Sequence, residues 1–261
     1  MTRIASRLAA GCCLGLVALL IGCAVPAARP SVPADAGWAS LFDGRSLAGW
    51  SLRCKPADKA KAAAFWRVDA GTILCDTAGD RSHDYIWLMT DREFGDFELE
   101  LKVQGYRGVK GNTGVQVRSR YDEAAGWLDG PQIDVDPTTG WRTGLIYDET
   151  RGTRRWVCPS LPSSAIPPEH APKGYKWKYA DESDGWNDLR IVCRGTKIQT
   201  WLNGVPAADF DGRGVLDDEG HKARNVGLAG HIALQLHTRD DLRVRYKDIR
   251  IRPVRADKRS S

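Results

Sequence analysis

Residues Phe97-Glu98-Leu99-Glu100-Leu101-Lys102-Val103 alternate apolar and charged without a break. A period of two puts Phe97, Leu99, Leu101 and Val103 on one face and Glu98, Glu100 and Lys102 on the other. Such a segment is stable only as a strand with one face on a core and one toward water. Other stretches share this form. Gln132-Ile133-Asp134-Val135-Asp136 lies between Gly130-Pro131 and Pro137, and His231-Ile232-Ala233-Leu234-Gln235-Leu236-His237 follows a glycine. Gln116 to Arg120 is preceded by the turn residues Gly111-Asn112-Thr113-Gly114, and Asn203-Gly204 between Lys197–Leu202 and Val205–Phe210 is a two-residue hairpin signal. About a dozen short strands with turns between them predict an all-β fold, a two-sheet antiparallel sandwich. Ten tryptophans and 27 glycines against two methionines agree with a sheet protein rather than a helical bundle.

One region resists this pattern. Residues 151–184 carry Pro159, Pro162, Pro167, Pro168 and Pro172, which break any ladder, and predict a long loop with one short helix near Pro167–Ala171. Loops of this length in compact domains commonly serve function.

The N-terminus reads as an export signal. Arg3 and Arg7 precede a short apolar run, Leu8 to Ile21, that ends in Gly22-Cys23. This resembles the bacterial lipobox, which implies a signal peptide over 1–23, lipidation at Cys23 and a lipid anchor as the sole membrane attachment. Ala24 after the cysteine implies outer-membrane sorting. Residues 24–37, rich in Pro and Ala, form a tether, 38–254 a single sandwich domain, and 255–261 a basic tail. Setting aside Cys12, Cys13 and Cys23 leaves four of the seven cysteines: Cys54, Cys75, Cys158 and Cys193. In an exported domain a disulfide is permitted, and Cys54–Cys75 is the expected pair. The net charge of +5 is spread among mixed charges, without a recognition helix or basic stripe, so no nucleic acid partner is expected. No phosphate-cradling glycine loop is present, and no nucleotide cofactor is expected.

The polar faces of the alternating strands are the candidate site. Gln132, Asp134 and Asp136 share one face, Arg118 and Arg120 another, and His231, Gln235 and His237 a third. Asp134 is a candidate base or metal ligand, or a carboxylate paired with Arg118 or Arg120. His237 suits proton transfer near neutral pH. Asp134 and Asp136 carry hard oxygens suited to Ca²⁺ or a similar divalent cation. Gln235, Arg118 and Arg120 offer donors to hydroxyls or a developing oxyanion. Tyr147, Asp148 and Glu149 end a strand beside the long loop and either line a cleft mouth or are turn acids. Trp156 and Tyr175, in that loop, either stack on a sugar ring or anchor the loop.

Several segments together resemble the bacterial 3-keto-disaccharide hydrolase family: LFDGRSLAGW, GNTGVQVRSR, GPQIDVDP with GLIYDE, GWNDLRIVCRGTKIQTWLNGV, and GHIALQLH leading to YKDIRIRP. The resemblance covers residues 38–253. It implies a concanavalin-like jelly roll and cleavage of glycosides oxidised to a ketone at C3. A C3 ketone acidifies the C2 proton, and the C1 oxygen, β to the carbonyl, leaves by elimination, with water adding afterwards for net hydrolysis. On the residues themselves, Asp134, His237 and Arg118 are the catalytic candidates for such a reaction, while Gln132, Gln235, Arg120, Tyr147, Glu149 and Trp156 are the candidate substrate contacts. Gln132 stands where many members have Glu and is not a general base. A lectin-like binding protein without chemistry is the alternative.

Overall fold

The computed structural model describes residues 37–182 and 184–254. The leader with Cys23, the tether up to residue 36 and the basic tail lie outside the described residues. In chain order the elements are β1 (Ala39–Ser40), β2 (Trp50–Cys54), α1 (Lys59–Phe65), β3 (Trp66–Asp69), β4 (Thr72–Asp76), β5 (Ile86–Thr90), β6 (Phe97–Gly105), β7 (Thr113–Asp122), β8 (Trp127–Asp129) and β9 (Pro131–Val135). They continue with β10 (Ile146–Asp148), β11 (Arg155–Cys158), β12 (Asn187–Arg194), β13 (Lys197–Leu202), β14 (Val205–Asp211), α2 (Glu219–Arg224), β15 (His231–Leu236) and β16 (Arg243–Pro253).

Two eight-stranded antiparallel sheets form a jelly-roll sandwich. Sheet A runs β14-β13-β12-β6-β16-β4-β3, with β1 beside β16; sheet B runs β11-β10-β9-β7-β15-β5-β2, with β8 beside β7. The apolar half of each alternating strand meets its counterpart between the sheets. Phe97, Leu99, Leu101 and Val103 of β6 share one core with Ile133 and Val135 of β9 and Ile232, Leu234 and Leu236 of β15. The Asn203-Gly204 turn closes β13 onto β14 with both residues at positive φ, 50° and 80°, as a two-residue hairpin requires.

The structure revises three sequence expectations here. Arg155–Cys158, assigned to the long loop, is the edge strand of sheet B, where an adjacent Pro159 costs no central ladder bond. The helix expected near Pro167 is one 3-10 turn, Pro168–His170. Cys54 and Cys75 are not bonded: Cys54 is on the edge strand β2 of sheet B and Cys75 on β4 of sheet A. Both pack as small apolar groups in the core, and burial pushes both thiols up.

Candidate functional site

The outer face of sheet B carries a cleft of about 640 Å³ over β9 and β10. Its floor follows from strand register. Gln132 pairs with Gln116 on one side and Tyr147 on the other, while Gly114 faces Asp134, so these side chains stand on the outer face together. Gly114 is required there: a Cβ would lie 2.4 Å from Gln132 Cδ, because the Gln132 side chain crosses over it. At the end of β10 the alternation separates two acids. Asp148 points between the sheets, where Oδ2 meets His221 Nε2 at 2.8 Å, and Glu149 therefore points outward. The Glu149 backbone is tied to both neighbours, its N–H to Gly130 O at 3.1 Å and its carbonyl to Trp127 Nε1 at 2.9 Å.

The Pro-rich loop and the turn after Asp136 form the wall. Tyr175 donates to the carbonyls of Trp141 at 2.7 Å and Thr143 at 2.8 Å, and Trp156 Nε1 donates to Ser164 O at 2.9 Å. These bonds make Tyr175 and Trp156 anchors of the wall. Trp156, with its ring 5.3 Å from that of Tyr147, also lines the cleft.

This cover encloses two carboxylates without neutralising them. Asp134 is 2 % exposed. Burial pushes its carboxyl up to about 7, against the pull of Arg142, whose Nε lies 3.6 Å from Oδ2. Burial likewise pushes Glu149 to about 7, against Arg154 at 3.7 Å and the charge of His237. Desolvation penalises the ionised form, and one cation at long range compensates only part of the penalty. Asp134 Oδ2, Gln132 Oε1 and Asn112 Oδ1 have no protein hydrogen-bond partner. Buried polar atoms are normally paired, so a group of unpaired ones on one floor marks a surface built for a polar ligand.

The third part of the site is a line of three side chains. Asp240 Oδ2 lies 3.3 Å from His237 Nδ1, and His237 Nε2 lies 2.9 Å from the Tyr85 hydroxyl. Burial draws the His237 imidazolium down, but the Asp240 carboxylate bonded to it, with Glu149 nearby, holds it above its ordinary range.

The cleft thus brings together Gln132, Asp134, Asp136, Tyr147, Glu149, Trp156 and His237. Gln235 lies beneath it, close enough to Glu149 to favour its charged form. Arg118 and Arg120 are elsewhere. At Arg118 φ is +51°, and the β7–β15 register shifts between His231 and Ala233, so a bulge turns the side chain out of the outer face. Fully buried, Arg118 donates to Gly95 O at 2.8 Å, Gly195 O at 2.5 Å and Asp96 at 2.8 Å, clamping turns of the two sheets. Arg120 is spent on Glu93 and on Asn225 O, both at 2.6 Å, and His231 on Thr90 O at 2.7 Å. Sequence reasoning missed Tyr85, Asn112, Arg142, Arg154 and Asp240. Asp240 had a readable signal, three residues after His237; Arg142 had only its place in a turn between two site strands.

Asp136 accepts from the backbone N–H groups of Thr138 and Thr139, each at 3.1 Å, and from the Thr139 hydroxyl. The positive charge facing Asp134 and Asp136 is Arg142, whose guanidinium the two carboxylates hold charged despite its burial. Among the described residues no three His, Cys, Asp or Glu side chains are grouped to hold a metal ion.

Fold and cleft together define a jelly-roll sandwich with a polar cleft holding two buried carboxylates on the outer face of one sheet. The family model described as "3-keto-alpha-glucoside-1,2-lyase-like domain" matches residues 37–252, and the chain belongs to that family. Two solved structures of similar fold are candidate glycosyl hydrolases from Parabacteroides distasonis ATCC 8503. One is 17% identical, with a TM-score of 0.53, over 84% of this chain and 94% of its own. The other is 21% identical, with a TM-score of 0.51, over 84% of this chain and 100% of its own. No curated protein matches the chain.

Proposed function

We propose that this protein is an exported enzyme that cleaves 3-keto-glycosides by removing the C2 proton and eliminating the C1 substituent, with or without later addition of water. The observation that carries the reading is the pair of buried carboxylates, Asp134 and Glu149, both pushed to about 7 in one cleft. A group titrating near the working pH is the best compromise between being deprotonated and being basic. Asp134 is the base, and Arg142 beside it offsets the negative charge that the enolate develops. Gln132 and Asn112 supply unpaired acceptors for sugar hydroxyls, and Tyr147 and Trp156 give the ring an aromatic wall. Glu149, across the floor, serves the water that adds to the enone.

The deciding experiment is mass analysis of products after incubation with a panel of 3-keto-glycosides. A product equal to substrate minus the aglycone alcohol shows elimination, and one water more shows net hydrolysis. Sugar binding with every substrate left intact overturns the reading in favour of a carbohydrate-binding protein.

A further inference from the structure

We propose that Tyr85 is the general acid of this cleft, protonating the departing glycosidic oxygen with a proton resupplied by His237. The inference rests on the elimination reading above and assigns the one role that reading leaves open.

Three observations carry it. First, the groups are in series and end in the cleft: Asp240 to His237 Nδ1, His237 Nε2 to the Tyr85 hydroxyl, and Tyr85 on the cleft lining. Second, the tautomer is set. Nδ1 faces two acceptors, Asp240 Oδ2 at 3.3 Å and Thr238 O at 3.2 Å, so Nδ1 carries a proton. Neutral His237 then accepts the Tyr85 proton at Nε2. Protonated His237 donates to the Tyr85 oxygen instead and leaves the phenolic hydrogen free for the cleft. Third, the phenol is held in place. Its ring stacks on Trp87 at 5.5 Å and meets the edges of Trp127 at 4.9 Å and His237 at 4.7 Å, while Asp240 is anchored by the Asn112 N–H at 2.7 Å. The charged groups acting on His237 are Asp240 from its own loop, Glu149 beyond β10 and Asp134 on β9, all acids that favour the imidazolium.

The step balances. Asp134 takes the C2 proton and the electron pair passes into the C3 enolate. As the C3 carbonyl re-forms, a double bond forms between C1 and C2 and the C1–O bond breaks. The leaving oxygen takes the Tyr85 proton, the phenolate takes the Nε2 proton, and His237 remains neutral with Nδ1–H on Asp240. Solvent later returns a proton to His237 and accepts the one on Asp134.

A missing general acid harms poor leaving groups most, since a good one departs without protonation. The test compares wild type and Tyr85→Phe on two 3-keto-glucosides, one with a simple alcohol and one with 4-nitrophenol as the leaving group. Tyr85→Phe is expected to lose about 100-fold or more in kcat/KM on the alkyl glucoside and less than about fivefold on the nitrophenyl one. Equal losses on both, or no loss on either, overturn the assignment. If Tyr85→Phe does not fold, wild-type rates across alcohols of graded acidity decide. A shallow dependence supports proton donation, and a steep one overturns it. A wild type that leaves both substrates intact sinks the elimination reading itself, whereas a wild type that cleaves them with no leaving-group split in the variant removes only Tyr85.

Discussion

Glu98 and Asp134 are both buried carboxylates on the outward side of an alternating strand, one on each sheet, 4 % and 2 % exposed. Their chemistry is opposite. Burial pushes Glu98 up, but Arg190 Nε at 2.5 Å and Arg252 Nε at 2.7 Å outweigh it and hold the carboxyl below its usual range. Asp134 has a single guanidinium at 3.6 Å, lies under the Pro-rich loop and is pushed to about 7. Around Glu98 the outer face of sheet A is paired throughout its centre: Glu100 with Arg250 and Lys102 with Asp188. At Asp134 its own Oδ2, with Gln132 Oε1 and Asn112 Oδ1 on the same cleft lining, is unpaired. One face is finished by its own chain, and the other leaves its bonding capacity for a ligand.

The largest contrast is expected in catalysis. Asp134→Asn keeps the shape and removes the base, so kcat/KM on a 3-keto-glycoside should fall by about 10²–10⁴. Its melting temperature at pH 8 should hold or rise, because the wild type keeps a poorly compensated buried charge there. A variant that retains activity, or that melts well below wild type, would put Asp134 in the same class as Glu98. Next in size is Arg118, which sequence reasoning placed in the site and the structure places between turns. Arg118→Met removes the donor of the Gly95 and Gly195 carbonyls and leaves Asp96 with only the Gly195 N–H, and should cost about 3–5 kcal/mol of stability. Steady-state kinetics per folded molecule should be unchanged. An active-site effect at full stability would restore Arg118 to the chemistry.

The two kinds of carboxylate also respond to pH in opposite senses. Asp134 and Glu149 rise from the ordinary 3.8 and 4.5 to about 7 on folding. Between about pH 4 and pH 7 the folded state therefore binds protons that the unfolded state has released, and stability falls as pH rises through that window. Each group accounts for something on the order of 2–4 kcal/mol over the whole range. Glu98, held low, contributes stability that is present above its unfolded value and is lost as pH falls through its folded one. Thermal melts from pH 4.5 to 7.5 check this. The wild type should lose stability with rising pH relative to Asp134→Asn, and parallel curves would show that Asp134 is not held protonated. Activity should show an acid limb near pH 7 from the same group.

Why the fold was legible and half of the site was not follows from these residues. Alternation specifies which side chains share a face, and β6, β9 and β15 obey it. It does not say which outer face will be covered. β6 and β9 read alike as strings, yet β9 is buried on both sides because Tyr175 fastens the loop to Trp141 and Thr143. That is a contact between segments more than 30 residues apart, with no local signature. Arg118 was misplaced for another reason. A bulge shifts the period by one, and a non-glycine residue at φ +51° gives no warning in the string. Arg142 and Arg154 escaped notice because turn cations are common, and only the enclosure of Asp134 and Glu149 gives these two a role.

The smallest expected effect is also the most discriminating. Glu98→Gln removes the charge that holds Arg190 and Arg252, two side chains that remain partly in water, 39% and 44% exposed. Water can therefore solvate the released guanidinium groups, and the loss should be only about 1–3 kcal/mol. In a domain of this size that is a fall of very roughly 2–4 °C in melting temperature per kcal/mol. Turnover and its pH profile should be untouched, since β6 reaches the cleft only through the core. Salt sharpens the comparison. Added chloride should narrow the gap between Glu98→Gln and wild type by screening the partly exposed pairs. It should leave the acid limb of Asp134 near pH 7, because that carboxylate is enclosed by protein rather than by solvent. If salt moves both alike, the two carboxylates share one environment and the distinction between the sheets fails.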